Sequence, residues 1–174
     1  MGLDADLDSF ETIRERLKNG THFDADEFAR QAIYVVLAGG FSQRTAKKIH
    51  ITIMTAVKDG VRDLFPIFHN KNKTNAIVKL WDGRQDYRDG YYKLTSLESK
   101  LAYLATLPHI GKITANHLAR NLGENVFKRD VWIERLLSKY GEDLLERLEK
   151  KTSLPRGYVD VVLWKSCQIG LIKF

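Results

Sequence analysis

A short turn in the second half of the chain has the residue types that bind a phosphate group. Leu107-Pro108-His109-Ile110-Gly111 separates two amphipathic segments, and Lys112 follows directly. Proline ends the first helix because it has no N–H and its ring clashes with the preceding turn, while Gly111 permits a backbone geometry that other residues avoid. The second helix therefore begins with free N–H groups, which suit one phosphate together with the helix dipole and Lys112. An ordinary helix–helix turn is the alternative interpretation.

An aspartate follows one short loop beyond that second helix. Asp130 precedes an apolar stripe that includes Ile133 and Leu136, so we expect it at the N-cap or in the first turn of a helix. The helix dipole favours a charged carboxylate at that position. A purely structural cap is the alternative, because aspartate is common at N-caps.

The sequence LPHIGKITANHLARNLG, followed by FKRDVWIERL, resembles the signature of the helix-hairpin-helix DNA glycosylase superfamily. That family's pattern is roughly L-P-G-[VI]-G-x-x-T-A-x-x-x-L, a short loop, and an aspartate that opens the next helix. The matching positions are Leu107, Pro108, Ile110, Gly111, Thr114, Ala115, Leu118 and, for the aspartate, Asp130. The resemblance implies an all-α, two-lobed helical bundle in a single domain of residues 1–174, with the hairpin at about 97–123 and the catalytic-aspartate helix at about 130–140.

The same resemblance implies an activity: flipping a damaged or modified base out of double-stranded DNA and hydrolysing its N-glycosidic bond. Breaking that bond develops positive charge on the sugar, which the Asp130 carboxylate would stabilise while it orients or deprotonates a water. The DNA backbone would be held by residues of the hairpin and of the segment before Asp130, namely His109, Gly111, Lys112, Ile113, Thr114, Lys128 and Arg129. No metal and no organic cofactor is implied, and the resemblance allows a monovalent cation at the hairpin carbonyls.

One position separates two mechanisms within the family. Members that also nick the strand carry a lysine two residues after the second hairpin glycine, and this chain has Ile113 there. Lys112 is one residue earlier, about 100° around the helix, so we expect it to face a phosphate. We therefore expect monofunctional chemistry that uses water, and a covalent adduct trapped by borohydride would instead implicate Lys112 or Lys128.

Two further features depart from the family pattern. His109 replaces the first hairpin glycine, so it either adopts a positive φ, contacts phosphate, or is an ordinary exposed turn residue. A flipped base needs an aromatic or apolar pocket and a side chain that fills its place. Our candidates for this pocket or wedge are Tyr34, Phe41, Gln43 and Trp132, and for each aromatic residue a core role is the alternative.

The substrate and the class of function have alternatives. Alkylated, oxidised and hypermodified bases of the phage type all fit the resemblance, and the last would make the protein an enzyme of DNA modification or of phage defence instead of repair. A non-catalytic helix-hairpin-helix module would bind DNA without cleaving it. A helical protein-interaction domain is a third alternative, and it predicts no affinity for DNA even at low salt.

The elements around these residues are expected to be helices throughout, because apolar residues recur at helical spacing. Asp24 with Glu27 predicts a capping box that opens a helix ending at Gly39-Gly40, and Ser42 predicts the next cap. We expect a short helix from about Thr74 to Trp81, followed by a loop that is rich in glycine, aspartate and tyrosine and reaches Tyr92. Thr95 with Glu98 predicts a second capping box.

Composition agrees with a DNA-binding protein. The net charge is +6 and the single cysteine excludes an intramolecular disulfide, a four-cysteine cluster and a four-cysteine zinc site. The basic balance favours a polyanionic partner. No apolar run approaches the ~20 residues that cross a bilayer. We expect a monomer in the cytoplasm, associated with the nucleoid.

Overall fold

The computed structural model describes residues 11–12, 14–15, 18–19 and 22–173, and of Gln43 the backbone only. All regular elements in these ranges are α-helices. They are α1 (Ala25–Ala38), α2 (Gln43–Lys58), α3 (Lys71–Asp82), α4 (Arg84–Tyr92), α5 (Leu97–Leu104), α6 (Lys112–Asn121), α7 (Val131–Tyr140), α8 (Leu144–Thr152) and α9 (Arg156–Gln168). None of these helices is long and apolar enough to span a bilayer.

The chain divides into two compact units. The first unit is residues 22–118, with α1 to α5 and most of α6. The second unit has the described N-terminal residues together with residues 119–173, and it contains the end of α6 and α7 to α9.

The first unit packs around α1, which contacts α2, α3 and α4. The predicted cap is confirmed, because Asp24 Oδ1 accepts a hydrogen bond from the Glu27 N–H at 2.7 Å. The Glu27 carboxylate accepts from Arg30 and Gln31, which replaces the reciprocal half of the capping box. The buried face of α1 consists of Phe28, Ala29, Ala32, Ile33, Val35, Val36 and Leu37. Removing this apolar area from water is the main stabilising contribution of the helix.

The turn between α1 and α2 also follows its sequence signals. Gly39 and Gly40 end α1, with Gly40 at φ +89°, a left-handed conformation that glycine adopts without steric cost. Ser42 then caps α2, and its Oγ accepts from the Thr45 N–H at 3.2 Å.

Three predictions for this unit are wrong. Residues 84–92 form helix α4 instead of a loop, because Tyr91 is fully buried and its ring lies 5.7 Å from that of Phe28 in α1. The second cap is Ser96, whose Oγ accepts from the Ser99 N–H at 3.1 Å, and not Thr95. In addition, α3 begins earlier than predicted, because Asn70 Oδ1 caps it at the Lys73 N–H.

The second unit has its own apolar core. Its buried members are Ile133, Leu136 and Leu137 of α7, Leu145 of α8, and Val159 and Cys167 of α9. These residues recur at helical spacing, so each helix turns one face inward. Burial raises the pKa of the Cys167 thiol, and the nearby Asp130 carboxylate raises it further.

Candidate active site

The predicted hairpin connects α5 and α6 in the first unit. Leu107 and Ile110 are buried, and the Ile110 N–H donates to the Leu107 carbonyl at 3.0 Å, which closes the turn. His109 has φ +61°, so this histidine adopts the left-handed conformation at the position of the family's first glycine. Gly111 does not have a positive φ, and our expectation that it supplies the unusual backbone geometry of the turn is corrected.

The N-terminus of α6 presents several backbone donors. The first intrahelical bond runs from the Ala115 N–H to the Gly111 carbonyl at 2.8 Å, so the N–H groups of residues 112–114 precede the hydrogen-bonded ladder. The Gly111 N–H donates to Thr114 Oγ1 at 2.8 Å. Lys112 and Ile113 are exposed, and 56% of Ile113 is accessible to solvent. This end of α6 therefore offers three N–H groups and one ammonium to an anion.

Asp130 caps α7 in the second unit. Its Oδ1 accepts from the N–H groups of Trp132 at 3.0 Å and Ile133 at 3.2 Å. Its Oδ2 lies 3.4 Å from the Nζ of Lys128, and the side chain is 14% exposed. The two oxygens thus have different roles, because Oδ1 is committed to the cap while Oδ2 faces a cation.

A buried carboxylate that the sequence analysis missed lies next to this site. Asp160 of α9 accepts through Oδ2 from Arg120 Nη1 and from the Lys128 backbone N–H, and its side chain is only 2% exposed. Burial raises the pKa of Asp160, and the Arg120 cation and the Lys128 N–H lower it in part. The sequence did contain a signal for it, a single acid in the apolar run YVDVVLW. A carboxylate in a buried apolar segment requires a cation or hydrogen-bond donors from elsewhere in the fold.

Arg129 is held by acidic neighbours within the second unit. Its guanidinium pairs with Glu134 at 2.6 Å and with Glu142 at 3.2 Å. The hydrogen bond to Glu134 raises the pKa of Arg129. Binding of a phosphate to Arg129 would have to compete with these two carboxylates.

Similarity to known proteins is found at the level of the fold. No family model and no curated protein matches the chain. Among solved structures it resembles the Methanocaldococcus jannaschii 8-oxoguanine glycosylase/lyase in complex with a 15mer DNA containing 8-oxoguanine. The TM-score is 0.71 at 17% identity, over 98% of this chain and 91% of that chain. The chain has a DNA glycosylase fold. The predicted fold class, and the resemblance on which it was based, are confirmed at the level of fold.

Within the glycosylase fold, two aromatic candidates belong to the first unit. The ring of Tyr34 in α1 meets His50 and His117 edge-on, at centroid distances of 5.6 and 6.2 Å. Phe41, between α1 and α2, is 41% exposed, and its ring lies edge-on to Phe68. The Lys73 ammonium lies 5.3 Å from the Phe41 ring centre and donates to the Gly39 carbonyl. Burial lowers the pKa of Lys73.

Of the remaining two candidates, Trp132 has a described side chain and Gln43 does not. Trp132 packs at the edge of the apolar core of the second unit, with the Arg135 guanidinium 5.4 Å from its ring. Gln43 is the first residue of α2, and its side chain lies outside the described part of the structure.

An open groove of about 570 Å³ runs along α7. It is lined by Val131, Glu134, Arg135, Ser138 and Lys139. The candidate aromatic residues do not line this groove. The described residues contain no group of three or more His, Cys, Asp or Glu that could hold a metal.

Proposed function

We propose that this protein is a DNA glycosylase that flips a damaged or modified base from double-stranded DNA and hydrolyses its N-glycosidic bond with Asp130. The observation that carries the proposal is the Asp130 carboxylate. It is fixed at the N-cap of α7, in a chain with a DNA glycosylase fold, and it follows the hairpin at the spacing of that family. The DNA in the complex of the similar protein supports a DNA partner.

The proposed chemistry depends on an oriented negative charge. As the bond to the base breaks, the sugar acquires positive charge, and a carboxylate that is already positioned stabilises it without reorganisation. The two N–H bonds to Oδ1 hold the Asp130 side chain in one orientation. Oδ2 makes no bond to the cap and faces the Lys128 ammonium at 3.4 Å, so it is the oxygen proposed to meet the sugar or a water. Oδ2 can then accept a proton from the water as it attacks C1′.

The hairpin would hold the DNA backbone at one phosphate. The N–H groups of residues 112–114 and the Lys112 ammonium are the donors for that contact, while the Gly111 N–H is engaged by Thr114 Oγ1. His109 and Lys128 are further candidates for contacts to phosphate. Such contacts position a duplex and carry no sequence information.

We infer a monofunctional enzyme, because an isoleucine occupies the position of the family's lyase lysine. The side chain of Ile113 cannot form an imine with the sugar, so water is the proposed nucleophile. The proposed pocket and wedge residues are Tyr34, Phe41, Gln43 and Trp132. Phe41 is the most exposed of the three aromatic candidates.

The first substrate to assay is an oxidised purine, because the similar structure is an 8-oxoguanine glycosylase/lyase with 8-oxoguanine in its DNA. Alkylated purines and hypermodified pyrimidines belong in the same panel. Duplexes with each base are incubated with the protein, and released bases are identified by mass spectrometry.

The decisive variant is Asp130→Asn. Asparagine caps a helix about as well as aspartate, so the fold should keep its stability while the charge is lost. We expect base release to slow by about 10²–10⁴-fold, the range for loss of acid–base catalysis, with unchanged affinity for the duplex. Asp24→Asn is the matched control, since Asp24 caps α1 in the same way, and it should leave the rate unchanged.

Two results would contradict the proposal. If the wild-type protein binds duplexes but releases none of the bases in the panel, the non-catalytic DNA-binding module is the better description. If Asp130→Asn releases a base at the wild-type rate, Asp130 is only a helix cap.

A further inference from the structure

The carboxylate of Asp160 is buried among apolar residues, where a charge is destabilising unless it is compensated. It is in the first half of α9, in a run of buried residues from Gly157 to Val161. An ionised carboxylate in such surroundings is costly unless a cation and hydrogen-bond donors compensate it. The role of Asp160 can therefore be inferred from the residues that compensate its charge.

Those residues belong to the segment that leads to Asp130. Arg120 is in the last turn of α6 and Lys128 lies two residues before Asp130, and Asp160 Oδ2 accepts from both. Asn125, between them, accepts from the Gly157 N–H through Oδ1 at 3.1 Å. Residues 120–128 are thus tied to the first half of α9 at three points.

The charged groups around Asp160 alternate in sign. Arg120 faces Asp160 from α6, Lys128 binds it through the backbone from the loop, and the Lys128 ammonium in turn faces Asp130 Oδ2 at 3.4 Å. Asp130, the cap of α7, acts on Asp160 through space and raises the pKa of Asp160. Two cations and two carboxylates therefore balance in this cluster, and removal of one charge leaves an excess beside Asp130.

We propose that Asp160 is a positioning residue for Asp130: it anchors Lys128 and neutralises Arg120, so that the negative charge of Asp130 is directed at the sugar. This inference rests on the proposed glycosylase function. Without Asp160, the uncompensated Arg120 cation would oppose positive charge that develops on the sugar. It would also favour the charged form of a neighbouring carboxylate, which would stay ionised at lower pH.

The rate experiment uses Asp160→Asn and the double variant Arg120→Gln/Asp160→Asn. For Asp160→Asn we expect single-turnover base release to slow by about tenfold or more, with DNA affinity unchanged and the acid limb of the pH–rate profile moved to lower pH. The double variant removes a neutral pair, so its rate should return to within about threefold of wild type, a difference of less than 1 kcal/mol.

A scaffolding role would give a different pattern. In that case the double variant would be at least as slow as Asp160→Asn, and the acid limb would stay in place, which would overturn the proposal. If Asp160→Asn does not unfold cooperatively, the double variant decides: a rate near that of wild type supports the proposal, and a loss of about tenfold or more overturns it.

A second measurement needs no substrate and separates this inference from the proposed function. Carbon NMR of the side-chain carboxyl groups follows the titration of Asp160 in the wild-type protein and in Asp130→Asn. We expect the midpoint of Asp160 to fall in Asp130→Asn, and not in the control Asp143→Asn at the start of α8. An unchanged midpoint in Asp130→Asn overturns the coupling, whereas a wild-type protein that releases no base contradicts only the proposed function.

Discussion

At the scale of single residues, the proposed site depends on one carboxylate, which caps a helix and is proposed to act on the sugar. Asp130 Oδ1 satisfies two N–H groups at the start of α7, and the same bonds limit the rotation of the side chain. The cap therefore pre-organises the oxygen that is proposed to react, and the helix supplies the orientation. If the proposed role is right, Asp130→Asn should remove the chemistry and keep the cap, because asparagine can also accept the two N–H bonds.

The absence of a lysine at position 113 makes a gain of function testable at this scale. Ile113→Lys places an amine where lyase members of the family carry theirs, and the side chain there is exposed enough to accept the change. We expect Ile113→Lys to form a borohydride-trapped adduct with DNA that contains an abasic site, visible as a shifted band on a denaturing gel. The control is Ile51→Lys, because Ile51 is also exposed but lies in α2 and not in the hairpin; this variant should form no trapped adduct. A trapped adduct with the wild-type protein would show that another lysine acts as nucleophile.

At the scale of elements, α4 shows how a close contact selects a helix where local signals predicted a loop. Tyr103 of α5 reaches over Gly90 of α4, and its hydroxyl donates to the Tyr87 carbonyl at 3.2 Å. A β-carbon at Gly90 would overlap the hydroxyl and the ring of Tyr103. Gly90 lies in the segment predicted as a glycine-rich loop, and its lack of a side chain lets α4 and α5 pack.

This contact predicts the effect of adding one methyl group. Gly90→Ala should destabilise the protein by about 1–3 kcal/mol, the usual cost of overpacking. Gly111→Ala is the matched control: nothing lies within 4 Å of its added carbon and its φ is not positive, so its stability should change little. Urea unfolding of the two variants measures the difference. Equal urea midpoints for Gly90→Ala and Gly111→Ala would contradict the prediction, because α4 and α5 would then accommodate the added methyl group without loss of stability.

At the scale of the whole molecule, stability should depend on pH through a buried histidine. His50 of α2 is 7% exposed, and its Nε2 lies 3.0 Å from the Arg30 carbonyl. Burial lowers the pKa of His50, the bond to that carbonyl raises it in part, and the Arg30 and Glu27 charges act in opposite directions. The folded protein therefore binds a proton at His50 less readily than the unfolded chain.

The sign of the pH effect follows from this difference. Above the unfolded value of about 6.5 both states are neutral at this residue. As the pH falls below it, the unfolded chain takes up the proton first, so the free energy of unfolding decreases towards the folded pKa. We expect His50→Gln to be less sensitive to pH than wild type between about pH 5 and 7.5 in urea unfolding. The raised pKa of Asp160 acts in the opposite sense in both proteins, so it cancels in the comparison.

The sequence by itself determined the features that depend on a few neighbouring residues. The caps at Asp24 and Ser42, the end of α1 at Gly39, the hairpin after Pro108 and the cap at Asp130 are all signalled within about four residues, because a cap or a turn involves only the adjacent backbone. The positive φ at His109 was one of the alternatives that local sterics allowed.

Only the tertiary structure decided what distant residues do to each other. Arg120 and Asp160 are 40 positions apart, and no local pattern connects them. Likewise, α4 forms because Tyr91 reaches the core beside Phe28 and Gly90 admits Tyr103. Burial and pairing over such separations are set by the packing of whole helices, and this packing also gives a buried charge its partner.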